Sequence, residues 1–239
     1  MRAISELLLV DSLNTWVYTT ASTDYYTWKA DNKSTPTNGG YPVFGTAWTV
    51  PHSHCVCGGD TNIGHHTSHS VVQYEPLPDD WDGIVSLEGN YYLTHDMTMP
   101  ARIYIAEGKT MNLCLNGYKL DARGLNVEEK TDPVFYLSGA LNLCDCDGSQ
   151  NSGGKITGLN NNYSPIIIDL RGTFSMYGGS ITKNTTTGNT IDNSGIFTMY
   201  GGSITDNFAK ETAGVYNEAG TSTMYGGSIL HNGGGTYGL

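Results

Sequence analysis

Met176-Tyr-Gly-Gly-Ser-Ile181 recurs as Met199-Tyr-Gly-Gly-Ser-Ile204 and as Met224-Tyr-Gly-Gly-Ser-Ile229, at spacings of 23 and 25 residues. The match extends outward on both sides. Gly172, Gly195 and Gly220 each stand four residues before the methionine, and Asn184, Asn207 and Asn232 each stand eight after it. Between these marks the sequence alternates, as in Gly172-Thr-Phe-Ser-Met176, and short apolar pieces such as Thr190-Ile-Asp192 and Gly214-Val-Tyr216 follow. Period-two alternation interrupted by Gly and Asn is the pattern of short strands separated by tight turns. About three strands per repeat predict the turns of a right-handed parallel β-helix, each stacked on the last at a strand spacing of about 4.8 Å.

That register assigns the side chains. Phe174, Met176 and Ile181 are expected to point inward and to stack on Phe197, Met199 and Ile204, with Ser175 and Thr198 facing out. Asn184, Asn207 and Asn232 are expected to form a ladder at one corner, and Tyr177, Tyr200 and Tyr225 a parallel aromatic stack. Ser222 stands where the repeat calls for Phe, which leaves the last turn less well filled. Upstream, Gly139-Ala-Leu-Asn-Leu143 followed by Gly153-Gly-Lys-Ile-Thr157 fits the same template around an insertion, and Leu113-Cys-Leu115 and Tyr92-Leu93 continue it. The chain is therefore read as all-β: a parallel β-helix over 84–239, a His/Cys-rich segment over 51–83, and a β-rich cap or adaptor over 1–50, where Trp16, Trp28 and Trp48 accompany many Thr and Tyr without a repeat.

Composition agrees. Among 239 residues there are 31 glycines, which argues against a helical bundle. Twelve Lys and Arg against 23 Asp and Glu give a net charge of −11, so no basic stripe is available for nucleic acid or for an anionic membrane surface. No run approaches the roughly 20 apolar residues that cross a bilayer, and Leu7–Val10 is much shorter than a secretory core, so no export signal is read.

The sharpest local chemistry is His52-Ser-His-Cys-Val-Cys57-Gly-Gly, followed by Gly64-His-His-Thr-Ser-His69. Five of the seven histidines fall here, beside two of the five cysteines. Thiolates and imidazoles in a tetrahedral set are what zinc prefers, and the glycines after Cys57 permit the tight turn of a metal knuckle. The expected ligands of a structural zinc are Cys55, Cys57, His66 and His69, with His52, His54 or His65 as substitutes; the competing reading is a histidine-rich loop with inert thiols. Cys55-Val-Cys57 and Cys144-Asp-Cys146 have a spacing awkward for an internal disulfide. Cys114, Cys144 and Cys146 are read as completing the zinc site with Cys55 and Cys57, as a Cys114–Cys144 disulfide in an oxidising compartment, or as separate reduced thiols.

For catalysis the candidates are Asp169 and Asp192, each three residues before a repeat glycine, with Arg171 close by. Carboxylates laddered about 5 Å apart have the separation used by retaining glycosidases, and such a pair also suits Ca²⁺. The alternative is that they are turn residues repeated because the repeat is. Asp79-Asp-Trp-Asp82 is read either as an acidic aromatic loop for calcium or sugar, or as a solvated link into the first turn.

From His54 onward the order of motifs resembles surface-protein segments of Gram-positive gut bacteria. Those segments run His-Cys-x-Cys-Gly-Gly, Gly-Asn-Tyr-Tyr-Leu-Thr, Leu-Cys-Leu-Asn-Gly, Leu-Cys-Asp-Cys and then tandem Gly-Thr-Phe-x-Met-x-Gly-Gly-x-Ile. Here the counterparts are His54–Gly59, Gly89–Thr94, Leu113–Gly117, Leu143–Cys146 and the repeats. The resemblance implies a right-handed β-helix on an exported, cell-wall-associated, adhesin-like protein, and it implies no activity. The expected role is thus a non-catalytic stalk or adhesin-like module for a glycan or surface protein, able to self-associate through an open C-terminal end. The rival is a carbohydrate-active β-helix, a lyase, hydrolase or phage tailspike-like depolymerase, for which a virion location would need no export signal.

Overall fold

The computed structural model describes residues 25–29, 43–48, 52–58, 70–125, 132–146 and 153–234. They divide into two compact units, Met1–His52 and Ser53–Leu239. In the first, Tyr25–Lys29 pairs antiparallel with Val43–Trp48, with a register irregularity between Tyr26 and Trp28. Among the described residues of the second, the regular elements are all strands apart from one 3₁₀ turn, Ala122–Leu125.

Short strands recur with the repeat and pair with their own copies. An eight-stranded sheet runs in the order Thr221–Met224, Ile196–Met199, Thr173–Met176, Ala140–Cys144, Thr110–Cys114, Gly89–Tyr92, Val71–Pro76 and His52–Cys55. A six-stranded sheet runs Ser228–Leu230, Ser203–Thr205, Ser180–Thr182, Lys155–Thr157, Lys119–Asp121 and Met97–Thr98. Five strands, from Val215–Asn217 back to Ile103–Ile105, make a third, and three short strands around Thr185–Thr186 a fourth. From Val71–Pro76 onward the registered pairs are parallel. Parallel neighbours cannot be joined by a tight hairpin, and from Gly89–Tyr92 onward the chain returns to this sheet only after visiting others.

The register is the one the sequence predicts. Leu141, Phe174, Phe197 and Ser222 share one row, and Leu143, Met176, Met199 and Met224 the next. Ile156, Ile181, Ile204 and Ile229 form another in the six-stranded sheet. Apart from the members contributed by the last repeat these side chains are buried, with Phe174 and Phe197 stacked at 5.4 Å. Each such side chain contributes about 1.5–3 kcal/mol by burial. The filling declines at Ser222, and Met224 is half exposed.

Polar side chains fix the corners. Asn184 Nδ2 donates to Asn207 Oδ1 at 3.1 Å, and Asn207 Nδ2 donates to Asn232 Oδ1 at 3.0 Å, while the same amides donate to strand carbonyls. Tyr177, Tyr200 and Tyr225 stack at 4.8 and 5.3 Å. Gly202 holds φ +80°, and a Cβ there would lie 2.6 Å from the Gly179 carbonyl oxygen. The second glycine of each Tyr-Gly-Gly is thus required by both conformation and space.

Candidate metal centre

Strand alternation brings the cysteines together. In Leu113-Cys-Leu115 both leucines face the core, so Cys114 faces the other way, and it is registered with Tyr92 on one side and Cys144 on the other. Cys146 lies two residues beyond Cys144, and two residues restore the same face. Its sulfur lies 3.2 Å from that of Cys114 and 3.6 Å from Asn116 Oδ1. An outward position is ordinarily wet, yet Cys114 and Cys144 are fully buried. They belong to an apolar cluster with Cys55, Cys57, Tyr74 and Tyr177 on this face.

The strand His52–Cys55 supplies the remaining donors. It is the end strand of the eight-stranded sheet. His52 and His54 share a face because they are two apart. One ligand atom from each of His52, His54, Cys114 and Cys146 lies within 4.8 Å of the others. Zn–S bonds of about 2.3 Å and Zn–N bonds of about 2.0–2.1 Å in a tetrahedron put donors roughly 3.3–3.8 Å apart, so a small inward adjustment closes the set. His54 Nδ1 lies 2.6 Å from the Cys55 carbonyl. A carbonyl only accepts, so Nδ1 carries the hydrogen, which leaves Nε2 as the basic nitrogen of the ring. The ring packs on Tyr74 at a centroid distance of 4.4 Å.

Electrostatics fit a site that wants a cation. The hydrogen bond with Cys144, reinforced by burial, holds the Cys114 thiol well above its ordinary range although the contact with Cys146 pulls the other way. Burial pulls the His54 imidazolium down, but the contacts with Cys146 and the Cys55 carbonyl outweigh it, so protonation is favoured. Burial, then Cys144 and Cys114, raises the Tyr74 phenol. A divalent ion among these groups would displace the protons from the sulfurs and the imidazole.

Several expectations are revised. Cys55 and Cys57 are joined by a disulfide, with Cα atoms 5.3 Å apart, so their sulfurs are not thiolate ligands. The Val56–Gly58 turn, with Gly58 at φ +82°, folds the pair back on itself, which is how so short a spacing closes. His65, His66 and His69 lie outside the described residues. The histidines expected as substitutes, His52 and His54, are the ones grouped with Cys114 and Cys146. Cys114, Cys144 and Cys146 stand outside that disulfide.

Asp169 and Asp192 do not share a row. Asp192 is registered with Ile167 and Tyr216, and Asn193 with Ile168 and Asn217. Counting back from the glycine misleads because residues 169–172 separate the strands of one repeat, whereas only Ser194 and Gly195 separate those of the next. Asp169 accepts from Ser138 Oγ and from the Leu170 amide. Burial raises the Asp192 carboxyl, while Asn189 holds it at 3.4 Å. Arg171 pairs with Glu107. At Asp79–Asp82, Trp81 Nε1 donates to the carbonyls of Ala101 and Arg102, each at 2.9 Å, and Asp82 accepts from the Ile84 and Val85 amides, so the segment is pinned as a turn.

No protein-family model, curated protein or solved structure matches the chain. Among the described residues no helix is long and apolar enough to cross a membrane.

Proposed function

We propose that the chain is a right-handed parallel β-helix stapled by one structural zinc ion on His52, His54, Cys114 and Cys146. We propose also that it serves as a non-catalytic, adhesin-like module of a Gram-positive cell surface. The observation that carries the metal reading is the convergence of two imidazoles and two thiols, from segments far apart in sequence, within 4.8 Å. Two sulfurs and two nitrogens suit zinc better than calcium or magnesium, and four protein ligands leave no open position for a substrate, which favours a structural role.

Zinc here would tie the end strand to two later repeats through one ion. The parallel pairing of every repeat with its copy, the internal rows of Ile, Met and Phe and the asparagine ladder support the solenoid reading. The surface role is supported by the order of motifs from His54 to the repeats. A glycan-cleaving reading loses its main support with Asp169 and Asp192 on different rows.

Metal analysis of the purified chain tests the proposal, with one zinc per chain as the expected result and a fall in melting temperature on chelation. A metal-free chain, folded and melting at the same temperature with or without added zinc, overturns it.

A further inference from the structure

The six-stranded sheet carries a feature unrelated to the metal centre. Its row Lys119, Lys155, Ser180, Ser203 faces outward and borders a cleft of about 660 Å³, shared with Thr182 and Lys183. The protein carries a net charge of −11, yet two lysines with no ion pair among the described residues meet here. Among the described residues Arg102, Lys109, Lys119, Arg123 and Arg171 each pair with a carboxylate, whereas Lys155 and Lys183 do not. Among the described residues the one carboxylate lining the cleft, Asp145, is already engaged. Its oxygens accept from the Gly117 amide at 2.7 Å and the Gly154 amide at 2.5 Å.

Lys183 stands at a corner position with φ +55°, and the equivalent positions in the next two repeats are Asp206 and His231. The positive charge is therefore particular to this repeat and is not repeated with the fold. Beside the lysines, Ser203 Oγ donates to Ser180 Oγ at 3.0 Å, making a short hydroxyl ladder across neighbouring strands. Strand spacing sets successive backbone positions of this row about 4.8 Å apart, and the hydrogen bond draws the two hydroxyls closer than that.

We propose that this cleft binds an acidic oligosaccharide, with Lys155 and Lys183 on its carboxylates and Ser180, Ser203 and Thr182 on its ring hydroxyls. The inference deepens the adhesin-like reading above and rests on it for the class of ligand. The cleft is many times the volume of one water, about 30 Å³, so a lone inorganic anion would fill little of it. Acidic groups elsewhere on the molecule are screened beyond about 8 Å at physiological salt, so the local lysines govern what enters.

The test is calorimetric titration of the full chain with tetragalacturonate, with uncharged galactotetraose and inorganic phosphate as comparisons. Tetragalacturonate is expected to bind, to weaken at least tenfold in the Lys155→Gln/Lys183→Gln double variant, and to weaken as ionic strength rises. The Lys155→Arg/Lys183→Arg double variant is expected to retain binding. No binding of tetragalacturonate at low salt, equal binding of galactotetraose or phosphate, or unchanged binding in the Gln variant would each overturn the proposal. Zinc content and melting temperature of the same preparations separate the two readings. A zinc-loaded, normally melting chain that ignores tetragalacturonate overturns the cleft alone; a zinc-free chain that binds it overturns the staple alone.

Discussion

The sulfur of Cys114 lies 3.2 Å from that of Cys146, although 32 residues separate them in sequence. The repeat makes this contact. Cys144 is the row partner of Cys114, and one further step of two residues brings Cys146 back to the same face. Any agent that binds thiols in pairs meets a preformed pair here, and His52 and His54 complete it.

Cys114→Ser should therefore lose stoichiometric zinc, and His54→Ala should weaken it, as read by metal analysis after gel filtration. The melting temperature of Cys114→Ser should fall by about 10 °C, since loss of a few kcal/mol costs roughly 2–4 °C each in a domain of this size. Retention of one zinc per chain by Cys114→Ser would place the metal elsewhere.

Removal of metal exposes the thiol pair to oxidation. Chelated protein treated with a thiol oxidant should form a Cys114–Cys146 disulfide, detected by peptide mapping, and zinc should suppress it. The Cys144→Ser variant should still form that link. Recovery of mainly Cys114–Cys144 would mean that the row partner, not the nearer sulfur, is the reactive one.

Asn207 is almost fully buried, and its amide donates to Ile181, Thr205 and Asn232 while its oxygen accepts from Asn184. Asn207→Ala strands several of those partners, so a loss of about 2–3 kcal/mol is expected from urea unfolding. Asn232→Ala, at a half-buried position, should cost less. Equal losses would show that the ladder does not draw its strength from burial.

Burial alone would raise the Asp121 carboxyl, but hydrogen bonds from Arg123 and from Lys119 bring it down to about 2. A depressed folded-state value contributes stability that is complete above the unfolded value, about 3.9, and is lost as pH falls toward the folded one. Urea midpoints of the wild type should accordingly fall between about pH 4 and pH 2 more steeply than those of Asp121→Asn. Parallel curves for the two proteins would remove this carboxylate from the acid limb.

The parallel register, the inward rows of Phe174, Met176 and Ile181, the asparagine ladder and the tyrosine stack were all legible in the sequence. A repeat stacked on itself must place like on like, so one period fixes every row it contains. The same logic failed for Asp169 and Asp192, where turns of unequal length shift the row and only the backbone path records the difference. It was silent on the metal centre in another way. His52 and His54 were visible as donors two residues apart, and Cys144 and Cys146 likewise, but which donors meet is decided by the three-dimensional path of the end strand, which neighbours Val71–Pro76 in the sheet. The pairing of Cys55 with Cys57 was likewise decided by a local turn that the spacing alone did not reveal. The cleft at Lys155 and Lys183 arose the same way, from a corner residue and a strand residue 28 positions apart in the chain that the winding brings to one surface. Periodicity determines contacts between equivalent positions; contacts between different positions of the repeat wait on the three-dimensional path that joins them.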